Sequence, residues 1–114
     1  MRRKLRSLPN GAHEMRLKAH ERKQAILDAI VPVCRTRGYQ AVGWEDAARA
    51  ADVSVSLVRK YFGTLNQFHR AIISHAIANR DPRIVAQGIA AGDSKAKRAP
   101  AELVAAAARI IMGK

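Results

Sequence analysis

The sequence predicts an all-α fold built from short helices around a small core. Apolar residues recur at intervals of three and four along much of the chain, which is the spacing of one helix face. Helix-capping residues and glycines divide the chain into segments of helical length, and no β-hairpin signal occurs between them. Hydrophobic residues make up 48% and aromatic residues 4%, so the core must consist mainly of Ala, Val, Leu and Ile. At 114 residues the chain has the size of one domain.

The first predicted helix begins at about His13 and ends before Gly38, which is a typical helix stop. Pro32 predicts a kink near Asp28 that opens toward solvent, because the proline lies off the apolar stripe. The single cysteine, Cys34, excludes an internal disulfide and its place on the stripe indicates a buried thiol. The stripe consists of Ile26, Ala29, Ile30, Val33 and Cys34.

Three further helices follow in the middle of the chain. The second is predicted from Trp44 to Ala51, and the third from the cap residue Ser54 to Phe62. Thr64 and Gln67 form a T-x-x-Q capping box that opens the fourth helix. Its weaker stripe consists of Phe68, Ile72, His75 or Ala76, and Asn79.

The C-terminal part of the chain predicts two more helices. Asp81 is an N-cap and Pro82 occupies the first position of a fifth helix, which ends at about Ala91. Residues 92–99 (GDSKAKRA) are predicted to be a polar linker, and Pro100 opens the last helix.

The chain is strongly basic, with 21 Lys and Arg against 9 Asp and Glu and a net charge of +12. Such an excess favours binding to a polyanion. Residues 1–12 contain no acid and predict a flexible arm. The arm either follows a nucleic-acid backbone or enters a minor groove, or it is only a solvated tail. Its basic residues are Arg2, Arg3, Lys4 and Arg6.

Little in the sequence indicates an enzyme, a metal site or a bound cofactor. The four histidines include no pair at i, i+4 spacing, and no cysteine cluster or pair of carboxylates accompanies them. No apolar run approaches the roughly 18 residues of a membrane span, and no apolar segment follows the basic N-terminus as in a secretory signal. We therefore expect a cytoplasmic protein with no catalytic residue, cofactor, metal or membrane partner.

Ala48, Asp52 and Val58 stand at i, i+4 and i+10, which is the spacing of a helix-turn-helix motif. A small residue is needed where the two helices touch, and a branched apolar residue packs the second helix onto the first. The turn residue must tolerate the left-handed backbone region, which Asp enters more readily than most residues.

The motif belongs to a longer pattern that includes Gly38-Tyr39, Asp46-Ala47-Ala48, Ala51-Asp52-Val53-Ser54, Val58, Tyr61-Phe62 and Phe68. This pattern resembles the DNA-binding domain of the TetR-type bacterial repressors. The resemblance covers about residues 20–80. It implies a three-helix DNA-binding unit followed by a connecting fourth helix. Together these four helices form a DNA-binding domain over residues 13–80.

The sequence departs from the family pattern where a phosphate-contacting hydroxyl is common. The family's threonines at the start of the second helix are Val42 and Gly43 here, and its tyrosine in the third helix is Arg59. We expect Arg59, Lys60 and the N-terminal arm to compensate. The predicted DNA-binding residues also include Gly43 and Ser54, at the starts of the second and third helices.

The third helix is predicted to present one face to DNA. At 100° per residue, Ser56 and Lys60 point away from the first two helices, with Val55 and Arg59 on one flank and Leu57 on the other. Val55 and Leu57 suit thymine methyl groups, and Arg59 or Lys60 suits a guanine or a phosphate. A solvated surface is the alternative. The side facing the first two helices consists of Ser54, Val58, Tyr61 and Phe62, with the Tyr61 hydroxyl expected to reach a phosphate.

Residues 81–114 are too few for the ligand-binding and dimerisation domain that usually follows in the family, so no small-molecule effector is predicted. Instead, the apolar seam of the last helix predicts a homodimer on a palindromic operator. The seam consists of Leu103, Val104, Ala107, Ile110 and Ile111. The alternative is that this helix folds back on its own DNA-binding domain.

Together these features predict a sequence-specific regulator that binds double-stranded DNA and acts as a repressor. The alternatives are a basic RNA-binding or ribosome-associated protein and a non-specific DNA-binding protein, since either would account for the charge equally well.

Overall fold

The computed structural model describes the backbone of residues 11–113 and the side chains of residues 18–113. Every regular element within that range is a helix, which confirms the predicted all-α class. A 3₁₀ turn at Tyr39–Ala41 joins the first two helices. The helices are α1 (Gly11–Arg37), α2 (Trp44–Ala51), α3 (Val55–Phe62), α4 (Leu65–Ala78), α5 (Pro82–Ala90), α6 (Ser94–Lys97) and α7 (Ala101–Met112).

Helix α1 begins at Gly11, slightly before the predicted start, and continues through Pro32 to Arg37. Pro32 is exposed, as expected for a residue off the apolar stripe. Gly38 ends the helix with a φ of 95°, and its N–H donates to the Cys34 carbonyl at 2.8 Å. Cys34 itself is fully buried, as predicted. The predicted basic arm, with Arg2, Arg3, Lys4 and Arg6, lies outside the described residues.

The predicted caps are confirmed as hydrogen bonds. Ser54 Oγ accepts from the Leu57 N–H at 3.1 Å and starts α3. Thr64 and Gln67 form the reciprocal capping box of α4, with bonds of 3.1 and 2.9 Å. Each cap satisfies backbone donors that a helix leaves unpaired at its N-terminus.

The core of the N-terminal half forms around Phe68 of α4, which is fully buried. Its ring stacks on Trp44 of α2, with centroids 5.3 Å apart, and lies 4.9 Å from the ring of Phe62 of α3. Helix α1 covers this cluster with Ile26 and Ile30, which are also buried. The aromatic contacts therefore fix α2 and α3 relative to α4.

The C-terminal helices pack onto this unit. Arg35 of α1 forms an ion pair with Asp81, the N-cap of α5, at 3.0 Å. The Gln87 side chain of α5 accepts from the Tyr39 N–H and donates to the Cys34 carbonyl, both at 2.8 Å. One cluster of buried apolar residues extends from α1 to α7. The predicted boundary near residue 80 is thus a change of element within one core.

The predicted polar linker over residues 92–99 is wrong in its central part. Ser94–Lys97 form the one-turn helix α6, capped by Asp93, whose side chain accepts from the Ala96 N–H at 2.9 Å. Ala96 is fully buried against Gly88 of α5. The composition of the segment is polar, but one alanine fits a site that the missing side chain of Gly88 leaves open.

Helix α7 folds back onto its own chain, but mainly against α5 and not against residues 13–80, which the alternative to a dimer seam named. Leu103 is 4% exposed and Ala107 is fully buried, in a helix that packs mainly against α5. These two residues of the predicted dimer seam thus lie in the core of their own chain. Val104 is half-buried, whereas Ile110 and Ile111 are exposed.

Candidate nucleic-acid interface

Helices α2 and α3 form the predicted helix-turn-helix. Asp52 ends α2 in the left-handed region, with φ 59° and ψ 49°. The Val53 N–H donates to the Ala48 carbonyl at 3.0 Å, which closes the turn. Ala48 is 6% exposed and Val58 is fully buried, so both contribute to the packing of the two helices. The three spaced residues therefore have the structural roles that the sequence predicts.

Helix α3 presents its polar side to solvent, as predicted. Val58 and Phe62 point into the core, whereas Ser56, Arg59 and Lys60 are exposed. Within residues 18–113, no carboxylate lies within 4 Å of the Arg59 guanidinium or the Lys60 ammonium group. Both charges are therefore accessible to an anion, without an ion pair to be broken first.

The apolar flanks of α3 are less exposed than the sequence suggests. Val55 is half-buried and packs against the core, and Leu57 is also half-buried. Packing against the core gives one reason for an apolar residue at position 55. The apolar character of Val55 is therefore a weaker indication of DNA contact. Tyr61 is half-buried and its side chain packs against the core as expected. Ser54 is exposed, and its hydroxyl lies 3.4 Å from that of Ser56.

Gly43 lies directly before α2 and has a structural partner. Its N–H donates to Asp46 Oδ2 at 2.9 Å, so this donor is already used in capping the helix. The same carboxylate pairs with Arg37 at 3.0 Å and Arg49 at 3.4 Å. The Gly43 hydrogen bond, followed by the Arg37 and Arg49 interactions, lowers the pKa of Asp46. A phosphate at this position would therefore meet the two arginines before it meets the Gly43 amide.

A cleft of about 380 Å³ separates the start of α2 from α3. Its lining includes Gly43, Glu45, Asp46, Val55 and Arg59. Asp46 is paired with Arg37 and Arg49, whereas Glu45 forms no ion pair among residues 18–113, and Lys60 lies outside the cleft on the far side of α3. A polyanion on α3 is therefore attracted most strongly away from Glu45.

A second cleft, of about 520 Å³, lies between α1 and α4. Its floor includes Leu27 and Phe62, and its rim includes His20, Lys23 and His75. The Lys23 ammonium lies 5.6 Å from the centre of the Phe62 ring. This cleft is part of the helix-turn-helix unit and not of the C-terminal helices, where the family would place an effector.

No group of three His, Cys, Asp or Glu side chains lies close enough to hold a metal ion among residues 18–113. None of the helices over residues 11–113 is both long enough and apolar enough to cross a membrane.

One further set of basic residues was not predicted from the sequence. Arg70 of α4 lies beside Lys95 and Arg98 of the α6 turn, in a cleft of about 280 Å³. The basic composition of residues 92–99 indicates a possible anion-binding segment. Because the segment was predicted to be a linker, the sequence did not indicate that its charges lie beside α4.

Comparisons of the chain with models of known protein families, with curated proteins and with solved structures found no match. The likeness to the TetR type therefore depends on the residues and the geometry described above.

Proposed function

We propose that the chain is a TetR-type DNA-binding protein, which binds double-stranded DNA in a sequence-specific manner and represses transcription. The observation that supports this best is the orientation of α3 within the helix-turn-helix. Its inner side is held in the core by Val58 and Phe62, and its outer side presents Ser56, Arg59 and Lys60 to solvent.

The dimensions and chemistry of α3 suit a major groove. An α-helix with its side chains is about 10–12 Å across, and a major groove about 12 Å wide admits one helix. Arginine or lysine donates to guanine O6 and N7 or to a phosphate, and serine donates to or accepts from several base edges. Ser56, Arg59 and Lys60 are therefore the residues that we propose for contact with bases, with Leu57 beside them for a thymine methyl group.

The charge of the chain supports the same partner. The net charge of +12 favours any polyanion, and counterion release from the DNA backbone would supply much of the affinity. We propose that Arg2, Arg3, Lys4 and Arg6 contact phosphates without reading sequence. Arg37 and Arg49 are half or more exposed beside the start of α2, and they take the place proposed for Gly43.

We propose a homodimer, because a single helix-turn-helix unit contacts few bases and two half-sites are needed for useful specificity. Of the seam that the sequence predicts, Leu103 and Ala107 are buried within one chain, whereas Ile110 and Ile111 are exposed. The exposed end of α7 is the remaining apolar surface on this helix. It consists of Ile110, Ile111 and Met112, of which Met112 is 83% exposed.

An RNA-binding protein is the second candidate, and the basic charge is its support. Recognition of single-stranded RNA commonly uses exposed aromatic rings on which bases stack. All five aromatic side chains of this chain are buried or half-buried, and Phe68 stacks on Trp44 and packs at a tilt against Phe62. The described surface therefore lacks an aromatic platform of that kind, which favours duplex DNA.

Selection of bound sequences from a random duplex pool, at stated salt concentrations, tests this proposal. We expect enrichment of a palindrome with half-sites about one helical turn apart. The matched control is the Arg59→Ala/Lys60→Ala protein, which should enrich no such site. Equal recovery of unrelated sequences, or preference for a structured RNA pool in parallel, would contradict the proposal.

A further inference from the structure

A second basic surface lies away from α3, at the contact between α4 and α6. Arg70, Lys95 and Arg98 line one cleft of about 280 Å³, and all three are exposed. No carboxylate comes within 4 Å of any of these three cations in the part of the chain whose side chains are described. By contrast, Arg35, Arg37, Arg49 and Arg80 each form an ion pair. We call this site the α4–α6 basic cleft.

The backbone that supports the cleft is tightly packed. Ala96 of α6 is fully buried, and a Cβ atom added to Gly88 would lie 2.7 Å from the Ala96 Cβ. Lys95 Nζ also donates to Ser74 Oγ of α4 at 2.8 Å. The α6 turn is thus held against α5 by packing and against α4 by a hydrogen bond, and these contacts position its basic side chains.

The cleft keeps a net positive charge. Asp93 is the one carboxylate in its lining, and its Oδ1 already accepts the Ala96 N–H at 2.9 Å. Three cations therefore face one carboxylate that is engaged as a helix cap. Guanidinium groups bind phosphate oxygens through two parallel N–H donors, which suits Arg70 and Arg98 to a phosphate group.

The cleft faces away from the helix-turn-helix. Phe68 of α4 contacts Phe62 of α3 and Trp44 of α2. Arg70 follows Phe68 by two positions, so the two side chains point about 200° apart around α4. A duplex that lies on the outer face of α3 is therefore on the other side of the domain from this cleft.

We propose that the α4–α6 basic cleft binds backbone phosphates of a second DNA duplex, so that one chain joins two duplexes. The inference rests on the proposed DNA-binding function of α3. Contacts to phosphates position DNA without reading bases, so the second duplex is bound without sequence preference. It also follows that this contact weakens steeply with salt.

The test uses the full chain and two duplexes. A duplex containing the selected site is immobilised and saturated with protein, and capture of a fluorescent duplex of unrelated sequence is then measured over a range of salt concentrations. The cleft variant is Arg70→Gln/Arg98→Gln. Its matched control, Arg83→Gln/Arg109→Gln, removes the same charge at two exposed arginines on α5 and α7. All measurements are repeated with Ile111→Glu, so that a dimer with two α3 faces is not mistaken for a second site.

We expect the cleft variant to bind the first duplex like the wild type and to capture the second much more weakly. The log–log salt slope of second-duplex capture should fall by about 0.9 for each lost phosphate contact. The control variant should still capture it. Equal capture by the cleft variant and the wild type would overturn the inference, as would loss of capture with Ile111→Glu alone. If inorganic tripolyphosphate shifts the Arg70 and Arg98 side-chain NMR signals but no second duplex is captured, the site binds small phosphates and the inference is also wrong. Failure of α3 to bind the first duplex is a separate result, since it would appear in the Arg59→Ala/Lys60→Ala comparison.

Discussion

Arg35 contacts Asp81 Oδ2 through two nitrogens of its guanidinium group, Nε at 3.1 Å and Nη2 at 3.0 Å. The other carboxylate oxygen of Asp81 accepts from the N–H groups of Arg83 and Ile84 and caps α5. One side chain, only 6% exposed, thus starts α5 and joins it to α1, 46 residues earlier. This contact, together with the Gln87 hydrogen bonds, holds α5 against α1 and the turn that follows it.

Removing the carboxylate should therefore destabilise the fold. We expect Asp81→Ala to lower the free energy of unfolding by about 1–2 kcal/mol, because α5 loses its cap. Asp81→Asn keeps an acceptor oxygen for the cap and should cost less. Urea denaturation of the three proteins measures this order, and an Asp81→Ala protein as stable as the wild type would contradict it.

The turn of the helix-turn-helix gives a prediction of the opposite sign. Asp52 has a positive φ, which costs free energy for any residue with a Cβ atom. We expect Asp52→Gly to raise the free energy of unfolding by up to about 1 kcal/mol, and Asp52→Ala to lower it by a similar or smaller amount. Thermal and urea denaturation report both changes. A less stable Asp52→Gly protein would show that the aspartate side chain has a further role in the turn.

The protein should lose stability at high pH because the Cys34 thiol is buried. Burial, with a further contribution from the charge of Asp81, raises its pKa from 9.0 to about 12. Since the folded state holds this proton more tightly than the unfolded state, its contribution to stability is complete below about pH 9 and is lost as the pH rises toward about 12. The free energy of unfolding, measured at several pH values, should fall by up to about 1.4 kcal/mol per pH unit in this window. Cys34→Ala is the control: if it shows the same fall, the thiol is not the cause.

The exposed end of α7 can be tested separately from the core. Ile111 is 40% exposed, so Ile111→Glu should keep the helical circular dichroism spectrum. If the dimer forms there, this variant should sediment as a monomer at concentrations where the wild type is a dimer. Leu103→Glu should instead unfold the protein, because it places a charge in the core. A wild type that stays monomeric at high concentration, both free and on DNA, would rule the homodimer out.

Much of the fold was predictable because its signals are local in the chain. Ser54, Thr64 and Asp81 start helices through hydrogen bonds to residues two or three positions away, and Asp52 occupies its turn for a similarly local reason. The side of α3 that Val58 occupies also follows from spacing alone. These features need no knowledge of the rest of the structure.

Most differences between expectation and structure concern contacts between separate helices. Ala96 is buried because Gly88 leaves room for it, and Val55 is half-buried because it packs against the core. The apolar residues of α7, which include Leu103, could pack on a second copy of the chain or on α5 of the same chain. Their spacing in the sequence does not distinguish these two partners. The hydrogen bond from the Gly43 N–H to Asp46 joins residues that are close in the chain. The sequence still did not show that this bond would occupy the amide group predicted to contact a phosphate.

The most direct test of the central proposal is the affinity of the Arg59→Ala/Lys60→Ala protein for the selected duplex and for a scrambled duplex of equal length. The Arg83→Ala/Arg109→Ala protein is the matched control for lost charge. If the two α3 side chains contact bases, their removal should cost about 1–3 kcal/mol each and abolish the preference for the selected duplex. The control should keep that preference. An α3 variant with unchanged affinity and unchanged preference would contradict the account.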